Sequence, residues 1–382
     1  MRRRLIENKG RYANGVYIQT VDGKLYTKEE WGAHKPADGV YIESVDGDLY
    51  TRSQWNTLTD KPQVNGVAVV NGSHIFTVGL QDSTSQLTWQ VVPYAISYIT
   101  YKSNENEARS DFKGFENSSF INDRGSGCEA NYYCKTFQFQ NGQYGYLGSM
   151  GEMAAILQNK GEINECLSII GGALLDSYVY WTSTANSLYA SWYIDAYTGA
   201  VGIMDNDQSR YVRPLTPTKK YTPKGIAVVA DEIIFVIGLN DSPRSLSWQT
   251  TAGDITGLSN ITALNIVREN FNGKLNSDII AAASNGGNNS PANSYCHKYI
   301  FSDGSQGYLP SCGELYVAFQ NKVVINEFLN LVGSVFNASN FYWSSSEYGS
   351  SIGWGISFYE GSINTFDKIT SGYVRPFGVF DV

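Results

Sequence analysis

Histidine is nearly missing from this chain: there are three in 382 residues, His34, His74 and His297, and none recurs between the duplicated segments described below. A His-based triad or an H-E-x-x-H zinc site therefore has no material, and G-x-S-x-G, P-loop and dinucleotide fingerprints are absent as well. Cysteine is also sparse. The five residues at 128, 134, 166, 296 and 312 are odd in number and contain no C-x-x-C, so neither a disulfide framework nor a zinc knuckle is written here. Charged residues make up 17%, the net charge is −8, and Arg2-Arg3-Arg4 is the one basic cluster. Nucleic-acid binders need a concentrated cationic face, so that class is excluded, and the triplet reads as a solvated tail. No apolar run is long enough to span a bilayer, and residues 1–12 lack the apolar stretch of a secretory signal peptide. The expectation is a non-enzymatic protein without cofactor or metal, acting on neither nucleic acid nor membrane.

What is present is duplication. One segment closes as Tyr180-Trp181-Thr-Ser-Thr, Trp192 and Tyr211-Val-Arg-Pro214; a second closes as Tyr342-Trp343-Ser-Ser-Ser, Trp354 and Tyr373-Val-Arg-Pro376. The interval from first Trp to second is the same in both, and so is the interval from there to the Pro. Cys134, Gly145, Gly151-Glu152 and Asn164-Glu165 match Cys296, Gly307, Gly313-Glu314 and Asn326-Glu327 at one constant separation. Upstream, Gly66-Val-Ala-Val-Val leads to Trp89 as Gly225-Ile-Ala-Val-Val leads to Trp248. A constant frame around a free interior is the pattern of a binding scaffold. A shorter repeat stands at the N-terminus, Gly15-Val-Tyr-Ile to Trp31 and Gly39-Val-Tyr-Ile to Trp55. It is too short to bury a core alone and needs a neighbour to stack on.

Local signals place the elements. Asp22-Gly23 and Asp46-Gly47 between apolar residues predict hairpins, and Thr27-x-x-Glu30 and Thr51-x-x-Gln54 predict capped helical turns. Ser149-x-x-Glu152 and Ser311-x-x-Glu314 predict capping boxes opening helices that Gly171 and Gly333 end in the left-handed conformation. The segment 216–223 reads as a linker, and 283–294 as the most open stretch. Towards each end, Trp192, Ile194 and Ala196 alternate with Tyr193, Asp195 and Tyr197, and Trp354, Ile356 and Phe358 alternate with Gly355, Ser357 and Tyr359. The first set in each copy faces inward and the second outward, with turns at Thr198-Gly199 and Glu360-Gly361 and with residues 372–377 adding a third strand.

Each marked residue has a bland alternative. Equally spaced Trp181, Trp192, Trp343 and Trp354 read as core rather than sugar platforms. Arg213 and Arg375, between Val and Pro, read as partners of an internal carboxylate or of carbonyls rather than of an acidic ligand. Glu152 and Glu314 are explained by capping, and Cys134 and Cys296 by burial. Asp205-Asn206-Asp207 lacks the Gly and distal Glu of a calcium loop and reads as a solvated loop. Outward Tyr193, Tyr197 and Tyr359 are the stronger binding candidates.

Gly307-Tyr-Leu-Pro-Ser-Cys-Gly-Glu-Leu315, Ile325-Asn-Glu327, Tyr342-Trp-Ser-Ser-Ser-Glu347, Trp354 and Tyr373-Val-Arg-Pro376 resemble C-type-lectin-like domains of the bacterial major-paralogous-domain type. That type is related in fold to formylglycine-generating enzymes and to the variable proteins of diversity-generating retroelements. The resemblance spans about four-fifths of the chain, and the first copy departs from it at Gly148 and Met150, where the second has Pro310 and Cys312. Formylglycine-generating relatives use two cysteines near the C-terminus, and none follows Cys312 here. The MRRRL start and the short repeats resemble N-terminal parts of virion proteins in phages of gut bacteria.

The resemblance implies an α+β fold of two tandem C-type-lectin-like domains, 61–218 and 219–382, preceded by hairpin repeats in 1–60 that dock to other virion proteins. It implies a phage fibre or receptor-binding protein located in the virion, made in the cytoplasm, released by lysis and forming homo-oligomers. The ligand would be a host cell-surface glycan or protein. Segments 347–353 and 366–372, with 185–191 and 204–210 in the first copy, would be surface loops rich in paratope-like residues. The implied ligand-binding set is Tyr348, Ser350, Ser351, Ser357, Tyr359, Asn364, Phe366, Asp367, Tyr193, Asp195, Tyr197, Asp205 and Asn206. Alternatives are a structural capsid or tail decoration protein and a bacterial surface adhesin.

Overall fold

The computed structural model describes residues 12–92, 96–121, 127–175, 178–231, 233–283, 289–337 and 341–380. The Arg2–Arg4 triplet and residues 284–288 of the open stretch lie outside them. The chain is mixed α+β, and residues 35–222 form one compact unit while 12–34 and 223–380 form another.

The short repeats fold as expected. β1 (Gly15–Thr20) and β2 (Leu25–Tyr26) meet through a turn in which Gly23 takes φ 83°, and the helix Lys28–His34 follows. β3 (Gly39–Ser44), β4 (Leu49–Tyr50) and the helix Arg52–Thr57 repeat this, with Gly47 at φ 84°. Only glycine takes such an angle without strain. Thr27 and Glu30 cap each other, as do Thr51 and Gln54.

The repeats do not form a separate N-terminal region of 1–60. β3 pairs along β5 (Val64–Asn71), which continues into β6 (His74–Val78), whereas β1 pairs along a strand near residue 225. The reason is burial: Trp55 and Ile42 enter the core of the 35–222 unit, and Trp31 and Ile18 that of the other. A two-stranded hairpin cannot bury an indole by itself.

In the 35–222 unit the remaining strands are β7 (Leu87–Thr88), β8 (Tyr146–Leu147), β9 (Val179–Ala185), β10 (Ala190–Asp195), β11 (Val201–Asp205), β12 (Ser209–Arg210) and β13 (Pro214–Pro217). They make a six-stranded sheet β4-β3-β5-β6-β13-β8, a three-stranded sheet β11-β10-β9 and the ribbon β12-β7. The helices Met150–Gln158 and Lys160–Ile170 carry Met153, Ile156, Ile163 and Leu167 into the core against β5 and β10, and Gly171 ends the second at φ 75°. In the other unit, β14 (Pro223–Ala230), β15 (Ile233–Ile237), β16 (Leu246–Ser247), β17 (Phe341–Gly349), β18 (Ile352–Ser357), β19 (Ile363–Asp367), β20 (Ser371–Gly372) and β21 (Phe377–Val379) repeat the plan. Its sheets are β2-β1-β14-β15-β21, β17-β18-β19 and β16-β20, with the helices Cys312–Gln320 and Lys322–Leu331 on the core.

Two further expectations are corrected. The segment 216–223 does join the two units, but as ordered chain: Thr216 and Pro217 lie in β13 and Pro223 opens β14, leaving a turn closed by amide bonds from Tyr221 and Thr222 to the Thr218 carbonyl. Residues 372–377 are not one strand either. Gly372 pairs with β16 and Phe377 with β15, because Arg375 turns inward to a carboxylate and Pro376 has no amide to donate.

Candidate recognition surface

The tryptophan frame is core, and its polar atoms explain the spacing. Trp89 donates to the Thr182 carbonyl, Trp181 to Leu87 and Trp192 to Lys102, at 2.7, 3.0 and 2.9 Å. Trp248, Trp343 and Trp354 do the same to Ser344, Leu246 and Ile261, at 2.7, 3.1 and 2.7 Å. Each of these six indole N–H groups thus has a partner, as burial requires. The Thr-Ser-Thr and Ser-Ser-Ser runs are equally specific. Thr182 and Ser344 donate to the carbonyls of Trp192 and Trp354, both at 2.8 Å, while Thr184 and Ser346 accept the amides of Met150 and Cys312 at the start of a helix.

Arg213 grips Asp82 with two nitrogens at 2.5 and 2.9 Å and reaches the Gly79 carbonyl. Arg375 meets Asp241 at 2.5 Å and the Val335 carbonyl at 2.6 Å. Tyr180 and Tyr342 donate to the same carboxylates, and burial first, then the neighbouring carboxylate, pushes both phenols up. The arginines therefore serve the interior. Their aspartates were missed from sequence, although Gly79-Leu-Gln-Asp-Ser83 and Gly238-Leu-Asn-Asp-Ser242 repeat and were the available signal.

Over this frame lie the hairpin tips. Tyr197 and Tyr359 occupy the same position in the two copies, and each is 77% exposed. The residue before each is pinned: Lys160 donates to the Ala196 carbonyl at 2.8 Å and Lys322 to the Phe358 carbonyl at 2.9 Å. These lysines were missed as well, though Asn159-Lys160 and Asn321-Lys322 recur. Asp195 is spent on its own turn, accepting from the Tyr197 amide and the Thr198 hydroxyl at 2.8 Å; the hydroxyl bond is the main cause holding its carboxyl below the usual range. Ser357 likewise closes its turn through backbone bonds with Gly361 and Ser362.

Other expected site residues divide. Ser350, Ser351, Asn364, Asp367 and Asp205 are exposed. Tyr193 is half-buried and lies across the neighbouring strand, so that a Cβ at Gly202 would come within 2.5 Å of its hydroxyl. In the second copy Gly355 replaces it, and the ring of Phe341 fills that space, packed on Phe366 at 4.0 Å between centroids. Phe366 and Tyr348 are therefore packing residues; Tyr348 meets Trp354 edge-on at 5.5 Å.

Asn206 is buried, its amide donating to Gln90 and to the Leu188 carbonyl at 3.3 Å, so it is not part of a binding loop and cannot join Asp205 and Asp207 around an ion. Segments 347–353 and 366–372 are not purely surface loops. Glu347 and Lys368 form a fully buried ion pair, and Lys368 also donates to the carbonyls of Gly253 (2.7 Å) and Ser350 (3.1 Å) with its ammonium over the Trp248 ring. Burial pushes the Glu347 carboxyl up and Lys368 pulls it back. The first copy has Ala185 and Asn206 at these two positions.

The repeated Glu152 and Glu314 close capping boxes as expected, accepting the amides of Ser149 and Ser311 at 2.7 and 2.8 Å, and each also accepts a Tyr hydroxyl, from Tyr146 or Tyr308. Burial outweighs these bonds and lifts both carboxyls to about 7. Among the described residues, no helix is long and apolar enough to cross a membrane.

No family model matches the chain, and no curated protein matches it. Among solved structures, a fimbrial protein from Bacteroides ovatus ATCC 8483 overlaps 38% of this chain and 35% of its own length, at 19% identity and a TM-score of 0.31. An overlap of that size assigns neither fold nor function.

Proposed function

We propose that the chain is a phage virion fibre protein that recognises a host cell-surface ligand, glycan or protein, through the exposed hairpin tips of two C-type-lectin-like modules. The observation that carries the reading is the pair Tyr197 and Tyr359. A large aromatic ring projects 77% exposed at the same place in both modules, on a backbone anchored by a lysine. Packing has no use for such a ring. An aromatic on a preorganised tip gains contact area at low entropy cost, which is how paratopes use tyrosine. Two equivalent tips on one chain add avidity when both engage.

The test is binding of the full-length protein to a panel of gut-bacterial cells and to a glycan array, beside a Tyr197→Ala/Tyr359→Ala chain. Saturable binding lost in a variant of unchanged stability supports the reading, and binding unaffected by the double substitution refutes it. A second reading, packing against neighbouring virion subunits, is favoured by β11 and β19. Each is the outer strand of its sheet with exposed residues along it, the kind of edge that accepts another strand.

A further inference from the structure

The two short repeats make the same contacts, but only one is tied to its place by the chain. β1 on β14 and β3 on β5 share one register, from Gly15 opposite Val229 and Gly39 opposite Val70 to a bulge after Gln19 and after Glu43. Val16, Ile18 and Trp31 are buried to the same degree as Val40, Ile42 and Trp55. Chain connection differs. Ser44 pairs with Val64, close by in sequence, whereas Thr20 pairs with Pro223, more than half the chain away. Between the helix Lys28–His34 and β3 lie only residues 35–38, and they lead into the other unit.

The 12–34 repeat is also held less well. Glu43 accepts from Asn65 at 2.8 Å and from the Lys219 amide. Gln19, at the equivalent place, is buried with neither polar atom of its amide partnered. An unsatisfied buried amide weakens the seat it occupies. Yet the seat cannot stand empty. β14 is buried along Pro223–Val229, and without β1 it would be a bare apolar edge with the Trp31 pocket open beside it.

We propose that this seat takes the 12–34 repeat of a second copy, so that chains join by strand exchange. The surface given and the surface taken are different, so exchange closes into a dimer where two copies swap reciprocally and extends into a longer chain where each copy gives to the next. Effective concentration decides between closed and linked forms, since the bonds formed are identical. The proposal is independent of what the hairpin tips bind.

The test uses Lys28 and Glu327, whose exposed side chains pair at 3.3 Å across the seat. Full-length Lys28→Cys and Glu327→Cys chains are unfolded, mixed, refolded at rising concentration and treated with a short bifunctional thiol reagent. The five native cysteines are buried, and burial raises the thiols of Cys134, Cys166, Cys296 and Cys312, so they stay silent. Covalent heterodimer that grows with protein concentration, above the dimer either chain gives alone, is the expected result. A doubly substituted chain reports occupancy of the seat. If it links only within itself while the mixture gives no heterodimer at any concentration, exchange is refuted. If it links in neither way, the seat is not filled by this repeat and the proposal falls as well.

Discussion

Replacing Glu314 by Gln should stabilise the protein at alkaline pH and leave it nearly unchanged at acid pH. The carboxyl sits against Tyr308 and Ser311, with Gly273 so close that a Cβ there would collide with Oε2. Burial raises its pKa from the usual 4.5 to about 7, against opposing bonds from Ser311, Tyr308 and Gly273. For an acid raised in the folded state, the native protein holds a proton that the unfolded chain has released between those two values. Stability is therefore complete below about pH 4.5 and falls as pH rises through about 7. At about 1.36 kcal/mol per unit, the loss is about 3 kcal/mol for this group.

Glu152 and Glu43 in the 35–222 unit are lifted to about 7 as well, and in the companion unit burial also raises Glu347. Urea unfolding of wild-type and Glu314→Gln chains at pH 5 and pH 8, with a probe for each unit, gives the answer. The variant's advantage should grow by about 2.5 kcal/mol between the two conditions, because part of the shift is already lost at pH 5. An offset that is the same at both pH values would refute the reasoning.

Lys368→Met alone should cost about 3–5 kcal/mol by stranding the buried Glu347, whereas Glu347→Ala/Lys368→Asn, the pair found in the first copy, should recover most of it; chemical denaturation of the three chains checks this. Arg213→Met should destabilise the 35–222 unit by a similar amount, about 3–5 kcal/mol, through the unpaired Asp82, seen as an earlier calorimetric transition for that unit alone. Gly273→Ala should cost about 1–3 kcal/mol by overpacking. Its Cβ meets Glu314 Oε2 and lies 2.7 Å from the Ser311 nitrogen, so the substitution should also flatten the pH dependence of unfolding.

Features written within one turn or one strand were legible. The Asp-Gly hairpins, the four capping boxes, the left-handed Gly171 and Gly333 and the alternation of Trp354, Ile356 and Phe358 each depend on neighbours a few residues away. The partner of β1 was not legible, because nothing near residue 18 says that its strand begins at Pro223 rather than beside it. Pro and Lys made 216–223 look like a strand-free linker, yet a strand flanked by β6 and β8 tolerates Pro214 and Pro217 where their missing amides are not needed. The Asp82 and Asp241 partners were legible in principle, since a repeated Gly-Leu-x-Asp-Ser needs a reason for its Asp.

Difference between the two copies proved a poor guide to what faces the solvent. Ala185 against Glu347 and Asn206 against Lys368 are among the least alike pairs, and all four residues are buried, each solution filling the same space with its own partners. Tyr193 against Gly355 is another exchange inside a packing problem, solved by the ring itself in one copy and by Phe341 in the other. The reverse case carries more weight. Tyr197 and Tyr359 are identical, exposed and without a packing role, and the lysines that pin their backbones are identical too. A fold retains a buried residue because the core requires it. A retained exposed ring on an anchored tip lacks that reason, which directs the search for a ligand to those two tyrosines before the variable strand positions around them.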